Sequence, residues 1–316
     1  MDQVWDNLTR AYRPSTRSAH RTHFQTLVLF LLFMNQPITL DLQNILSFIQ
    51  YLAYNNITPK VIANYLSSIR TMAGWYGIPH SDLSHHMVFL LLRSLRINSV
   101  VPPTPKGIFD IHTMVKISAL CDGTNDPPLF RSAFVLGFLG FLRMSNLCPH
   151  SCSQFDQNKH LLRKDVIFGP PGVKLRIKWS KTQQETGSVR WLRLPLLQNK
   201  ILCPVSALQR LLATRPGNPN NPLFVHQITG HIVIDTTVRD ALKTILTSLN
   251  IPIAGHGFHC FRRSGATFAF QHDVSLQNIM SHGAWRSDAI WDYLQQVASH
   301  PTSVANTFAK IIPAAL

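Results

Sequence analysis

The sequence predicts a mainly α-helical protein of two domains, an all-α N-terminal domain followed by a mixed α-helical domain with a small antiparallel β-sheet. Three observations predict this. Apolar residues recur at helical spacing through the first hundred residues, a stretch with Pro102, Pro103 and Pro105 interrupts that periodicity, and strict apolar–basic alternation appears from Val173 to Trp179. At 316 residues the chain exceeds one average domain, so two separate cores are expected.

Residues 1–97 read as four helices. Thr39 and Asp41 open a segment in which Leu42, Ile45, Leu46 and Ile49 recur at i, i+3, i+4 and i+7, an apolar stripe on one helical face. The next has Thr58 as N-cap and Pro59 at the first helical position, carries Ile62, Tyr65, Leu66, Ile69, Met72 and Ala73, and stops at Gly77 and Pro79. Flanking them are a helix through Phe24 to Met34, preceded by Arg10, Arg13, Arg17 and Arg21, and a fourth from about Ser81 to Leu95. Residues 98–107 have the composition of an extended linker, and the domain boundary falls there.

Residues 108–316 mix elements. An apolar helix through Phe130 to Leu147 ends on Arg143-Met-Ser-Asn146. In the alternating segment Val173, Leu175, Ile177 and Trp179 share one face and Lys174, Arg176 and Lys178 the other, the pattern of a half-buried strand with a basic face. Turns at Gly169-Pro-Pro-Gly172 and Gly187 pair it with strands near Asp165 to Phe168 and Val189 to Leu194. Helices follow at about Val205 to Thr214, Thr236 to Leu249, Cys260 to Phe270, Leu276 to Met280 and Asp288 to Gln296.

Charge narrows the function. Thirty Lys and Arg against 15 Asp and Glu give a formal +15 and a pI of about 10.1, the balance of a polyanion binder. Residues 1–97 hold 8 basic and 4 acidic side chains and residues 98–316 hold 22 and 11, so most of the attraction for nucleic acid lies in the second domain. Glu185 is the sole glutamate, which argues against chemistry built on carboxylate metal cages. Five cysteines without a Cys-x-x-Cys pair suit reduced thiols, and Cys148-Pro-His-Ser-Cys152 with His160 nearby matches no common zinc spacing; neither disulfide nor metal is expected. No signal pattern opens the chain, and its longest apolar run, Leu27 to Met34, is far below the ~20 residues of a membrane span.

Cleaving a phosphodiester without a metal needs a nucleophile, cations around the non-bridging oxygens, and an acid for the departing 5′-oxygen. The sequence supplies such a set in order. Arg143 follows an apolar helix, Lys181 follows the basic strand, His259-Cys-Phe-Arg262 opens a helix, and Trp285 precedes Tyr293 by eight residues. Each has a structural alternative: Tyr293 as an amphipathic core tyrosine, His259 as a cap partner, Arg143 as a helix C-terminal charge. Lys178 lies one strand step from Lys181 and competes with it, while Arg263 and His282 read as phosphate or structural contacts.

The order Arg, Lys in a β-hairpin, His-x-x-Arg, His or Trp, then Tyr resembles the tyrosine recombinase or integrase family over the whole chain. The stretches Gly137-Phe-Leu-Gly-Phe-Leu-Arg143-Met-Ser-Asn146, Trp179-Ser-Lys-Thr182, Phe258-His-Cys-Phe-Arg-Arg-Ser-Gly265 and Gly283-Ala-Trp-Arg-Ser-Asp-Ala289 resemble most the enzymes of DIRS-type and Ngaro-type retroelements and cryptons.

The resemblance implies a helical core-binding domain at residues 1–97 and a catalytic domain at 108–316, closing as a clamp on double-stranded DNA. It implies that Tyr293 attacks the scissile phosphate to leave a 3′-phosphotyrosyl link. Arg143 and Arg262 would hold the phosphate, Lys181 act as general acid, His259 assist proton transfer and Trp285 donate its indole N–H. No cofactor is implied, because the covalent link conserves the bond energy. Lys174, Arg176, Lys178, Arg263, Arg21, Lys60 and Arg70 are candidate DNA contacts, a tetrameric synapse is the expected assembly, and nuclear residence follows from the substrate alone. Two departures stand out: Asn146 replaces an acid that many relatives carry, and Trp285 replaces a common His. A type IB topoisomerase and a domesticated DNA-binding protein remain alternatives. Finally, Val304, Phe308 and Ile311 or Ile312 mark one face of a short helix from Ser303 to Ile312, expected to dock on a neighbouring subunit.

Overall fold

Proline and side-chain acceptors set where the helices begin. The computed structural model describes residues 11–98, 106–179, 189–286, 288–291 and 293–294, and the chain divides into two compact units, Met1–Pro103 and Thr104–Leu316. In the first unit α1 (Pro14–Phe33) starts on a proline whose missing N–H would be unsatisfied there anyway. It is longer than the apolar periodicity predicts and carries Arg17 and Arg21 inside it, because its first turns are polar and leave no stripe to read. α2 (Leu42–Tyr54) begins where the Asp41 carboxylate accepts the Asn44 N–H at 2.9 Å. α3 (Pro59–Tyr76) ends on Gly77, whose φ of 64° is the left-handed cap that glycine takes without strain. The helix expected from Ser81 is a 3₁₀ turn, Ser81–Ser84, followed after extended His85 by α4 (His86–Asn98). Leu27, Leu31, Phe48, Ile49, Ile62 and Ile69 form the core of this unit.

The second unit is organised around one buried helix. α5 (Ile111–Leu120), which the periodicity did not predict, is capped by the Asp110 carboxylate on the Thr113 N–H. α6 (Pro127–Leu139) is buried on nearly every face from Leu129 to Phe138, and apart from Arg131 and Ser132 that stretch is apolar or glycine. The helix expected to continue to Leu147 breaks at Gly140. Phe141 turns left-handed at φ 48°, and α7 (Met144–Leu147) is a separate turn that begins after Arg143. A left-handed non-glycine costs about 1–2 kcal/mol. The carbonyl of Phe141 accepts a hydrogen bond from buried Arg262, which offsets that cost.

Strands β1 (Val166–Gly169), β2 (Gly172–Ile177) and β3 (Arg190–Pro195) form an antiparallel sheet in the order β1-β2-β3, as expected. Val173, Leu175, Ile177, Leu192 and Leu194 face the core. α8 (Pro204–Ala213), α9 (Asp235–Ser248), α10 (His259–Gln271) and α11 (Leu276–Gly283) follow within a few residues of their expected bounds. A 3₁₀ turn, Asp288–Ile290, leads into helical Trp291, Tyr293 and Leu294. α10 lies hard against the end of α6: a Cβ on Gly265 would stand 2.0 Å from the Phe138 carbonyl oxygen. Among the described residues no helix is long and apolar enough to cross a membrane. The Ser303 to Ile312 segment and most of the expected linker lie outside the described residues.

Candidate active site

Folding brings five of the six expected site residues into one neighbourhood; Lys181 lies outside the described residues. His259 opens α10, and Arg262 follows one turn later on the same side of the helix. Tyr293 arrives from the chain after α11, its carbonyl accepting from the Thr267 hydroxyl at 3.3 Å. A small separate core of Phe141, Ala266, Ile279, Trp285, Ile290 and Leu294 packs beneath it.

The phenol of Tyr293 and Nε2 of His259 share a hydrogen bond of 2.5 Å. His259 is exposed on one side, yet desolvation of its ring by its neighbours and then the charges of Arg262, Arg263, Arg143 and Lys106 hold its pKa down to about 4. At neutral pH it is therefore uncharged and can accept the phenolic proton.

Arg262 is 1% exposed. Its Nη1 donates to the Phe141 carbonyl, its Nη2 donates to the Gly283 carbonyl at 2.7 Å, and its plane stacks 3.7 Å from the centroid of the Trp285 ring. Burial, then the neighbouring charge of Arg143, lowers its pKa to about 9, which leaves it cationic at neutral pH. Trp285 meets Tyr293 edge-on at 5.1 Å between centroids. The indole fits because residue 283 is glycine: a Cβ there would stand 1.6 Å from a ring carbon. Nε1 of Trp285 and Nε of Arg262 are both buried without an acceptor among the described residues. An unmet buried donor costs about 1–3 kcal/mol, and both would be satisfied by an anion's oxygens.

Arg143 is the half-buried N-cap of α7, so it does not serve as a charge on a helix C-terminus. Asn146 fixes its backbone: Oδ1 accepts the Arg143 N–H at 3.0 Å while Nδ2 donates to the Trp179 carbonyl at 2.8 Å. A carboxylate at residue 146 could do the first and not the second. The asparagine thus ties Arg143 to the end of the strand that leads toward Lys181.

One expected DNA contact, Lys178, takes another place. Lys174 and Arg176 are exposed on β2 as predicted, but Lys178 is not on that face. Its ammonium lies 2.6 Å from the fully buried carboxylate of Asp165, because the strand ends at Ile177 and the chain leaves the pleat. Arg263 is buried, with its guanidinium 5.5 Å from the Tyr293 ring centroid. Arg21, Lys60 and Arg70 are exposed, and Nη2 of Arg70 donates to the Leu83 carbonyl and the Ser84 hydroxyl, each at 3.1 Å. His282 is structural: its Nε2–H donates to the Leu139 carbonyl at 2.8 Å, and burial lowers its pKa. In the Cys148 loop the Cys148 thiol is pushed well up by burial, and His150 lies 3.2 Å from Asp235.

Arg190 is the functional candidate that reading the sequence missed. It opens β3 and its Nη1 donates to the His282 carbonyl. Burial and then the charge of Arg143 lower its pKa to about 10. The signal was present: Arg190 stands in the alternation of Leu192 and Leu194, an arginine at an inward-facing strand position.

This helical domain with its three-stranded sheet and convergent His, Arg, Trp and Tyr is the tyrosine recombinase fold. The chain is 25% identical over 249 residues to an integrase/recombinase XerD homolog of Selenomonas ruminantium, a match that spans 77% of this chain and 68% of the relative. Among solved structures it is similar to a Tn1549 transposon integrase in complex with transposon right end DNA, with a TM-score of 0.63, 16% identity and 98% of each chain covered. It is also similar to the XerH site-specific recombinase bound to a palindromic difH substrate, at a TM-score of 0.61, 13% identity and coverage of 87% of this chain and 74% of the other. A lambda integrase dimer bound to a COC′ core site gives a TM-score of 0.59 at 15% identity, covering 93% of this chain and 75% of that one. No protein-family model matches the chain. Fold and sequence likeness together support the tyrosine recombinase and integrase family.

Proposed function

We propose that the chain is a site-specific DNA recombinase that cleaves and rejoins strands through a 3′-phosphotyrosyl link on Tyr293, serving integration or excision of a mobile element of the DIRS, Ngaro or crypton kind. The observation that carries this is the Tyr293–His259 hydrogen bond inside a ring of cations. Neutral His259 takes the phenolic proton as the tyrosine oxygen forms a bond to phosphorus. Arg143 and Arg262, with the Trp285 N–H, meet the charge that builds on the non-bridging oxygens. The bond to the 5′-oxygen breaks as Lys181 gives that oxygen a proton. Attack by a 5′-hydroxyl of another strand reverses each transfer and releases the tyrosine. The exposed Lys174 and Arg176, with the overall charge of +15, supply sequence-independent attraction for duplex DNA. The same reading extends to action in the nucleus and to a tetrameric synapse for strand exchange.

The test is a suicide duplex carrying candidate element-end DNA. Wild-type protein should give a covalent adduct that survives denaturation and maps to Tyr293, with or without EDTA. Tyr293→Phe should bind the duplex equally and give none. An adduct at wild-type level in that variant sinks the assignment. Relaxation of supercoiled DNA by monomers with no joining between molecules would favour a topoisomerase, and binding without any adduct a non-catalytic protein.

A further inference from the structure

Arg190 is a half-buried cation that the reaction just described leaves without a task. It pairs with Ile177 in the last rung of the β2–β3 ladder and faces inward with Leu192 and Leu194. Its Nη1 donates to the carbonyl of His282, and Arg262 donates to the very next carbonyl, that of Gly283. Two guanidiniums therefore share the C-terminal end of α11. That end carries only about half a negative charge. Among the described residues no carboxylate pairs with Arg190, Arg262 or Arg263, and Nε of Arg190 is buried without an acceptor. By contrast, buried Arg215 has the carboxylate of Asp126 and buried Arg131 that of Asp122. Of the buried arginines, Arg131 and Arg215 thus have acids, and Arg262 and Arg263 beside Tyr293 have none among the described residues. The charge of Arg143 is felt at Arg190, and that of Arg190 at Arg262 and His282. Like charges gathered in a partly dry site are unfavourable until an anion enters.

We propose that Arg190 is a third arginine of the phosphate site, held on the end of α11 so that its charge adds to those of Arg143 and Arg262 at the DNA phosphate being cleaved. The assignment rests on the recombinase reading. A merely structural Arg190 would cap α11 and have no dependence on the charge of the phosphate.

The experiment uses the full chain and a suicide duplex whose scissile group is either the natural phosphate or a racemic methylphosphonate, which lacks the negative charge. On the phosphate, Arg190→Ala should slow cleavage on the order of a hundredfold, as for a lost transition-state donor, while Arg190→Lys stays within about tenfold of wild type. On the methylphosphonate, Arg190→Ala should come within roughly fivefold of wild type, because little charge remains to be met. Equal losses on the two substrates, or no loss on either, overturn the proposal. If Arg190→Ala does not fold by thermal melting, Arg190→Gln against Arg190→Lys decides it: the two must differ on the phosphate and agree on the methylphosphonate. Arg143→Ala and Arg262→Ala are run alongside. If they recover on the methylphosphonate and the Arg190 variants do not, only this inference fails. If they do not recover either, the phosphate-site reading falls and takes the Arg190 assignment with it.

Discussion

Replacing Lys178 with methionine tests whether that lysine is a structural ion or the acid of the reaction. Its ammonium is 2.6 Å from Asp165, and the two side chains are 11% and 0% exposed. Without it, Asp165 keeps one hydrogen bond, from the Leu162 N–H at 2.8 Å, while Oδ1 has no partner. Breaking a buried pair by removing one member costs about 3–5 kcal/mol, because the remaining charge stays buried. For a domain of this size each kcal/mol lowers the melting temperature by about 2–4 °C, so the expected fall is roughly 6–20 °C. The double variant Lys178→Met/Asp165→Asn, which removes both charges, should recover most of it. Cleavage is then measured below the lower melting temperature on a natural duplex and on one with sulfur at the bridging 5′ position, a leaving group that needs no proton. Lys178→Met should cut both at the wild-type ratio. An unchanged melting temperature, with cleavage lost on oxygen and restored on sulfur, would refute this and make Lys178 the acid in place of Lys181.

Other outcomes are expected. Arg262→Lys keeps the charge but cannot reach both the Phe141 and Gly283 carbonyls or stack on Trp285, so cleavage should fall about 10²–10³-fold; a near-normal rate would mean that the fork geometry is immaterial. His259 accepts a proton only when neutral, and its folded pKa of about 4 lies below the ordinary 6.5, so the second-order rate of adduct formation should hold as pH falls through 6 and drop only toward 4–5. Half-loss near pH 6.5 would refute that. The same depressed pKa has the opposite sign for folding at low pH: stability tied to neutral His259 is present above 6.5 and is lost as pH falls toward 4. A chain ended at His300 should bind one DNA site and lose cooperative assembly, whereas assembly by sedimentation as tight as that of the full chain would show that the tail has no role between subunits.

Most of the helical frame and the whole sheet were legible because their determinants are local. Asp41 and Pro59 begin helices through groups within one turn, and Val173 to Ile177 alternate because one face is buried. Local patterns failed where the cause was tertiary. The break after Leu139 is imposed by α10 packing against the end of α6 and by Arg262 reaching the Phe141 carbonyl, and from Ala133 to Leu139 α6 is an unbroken run of apolar residues and glycine. The front of α1 was hidden because its first turns show no apolar stripe.

The sequence by itself determined which chemistry the chain can carry. Cationic excess, one glutamate, and Arg143, His259, Arg262, Trp285 and Tyr293 in that order are matters of residue type and order, readable without coordinates. Only the tertiary structure decided where each cation stands. Lys174, Arg176 and Lys178 are equivalent by alternation, yet Lys178 pairs with Asp165 while Arg190, on an inward-facing strand position, reaches the carbonyl of His282. The reason is that an ion's role depends on what lies within a few ångströms of it. For Lys178 and Arg190 those neighbours, Asp165 and His282, are 13 and 92 residues away along the chain.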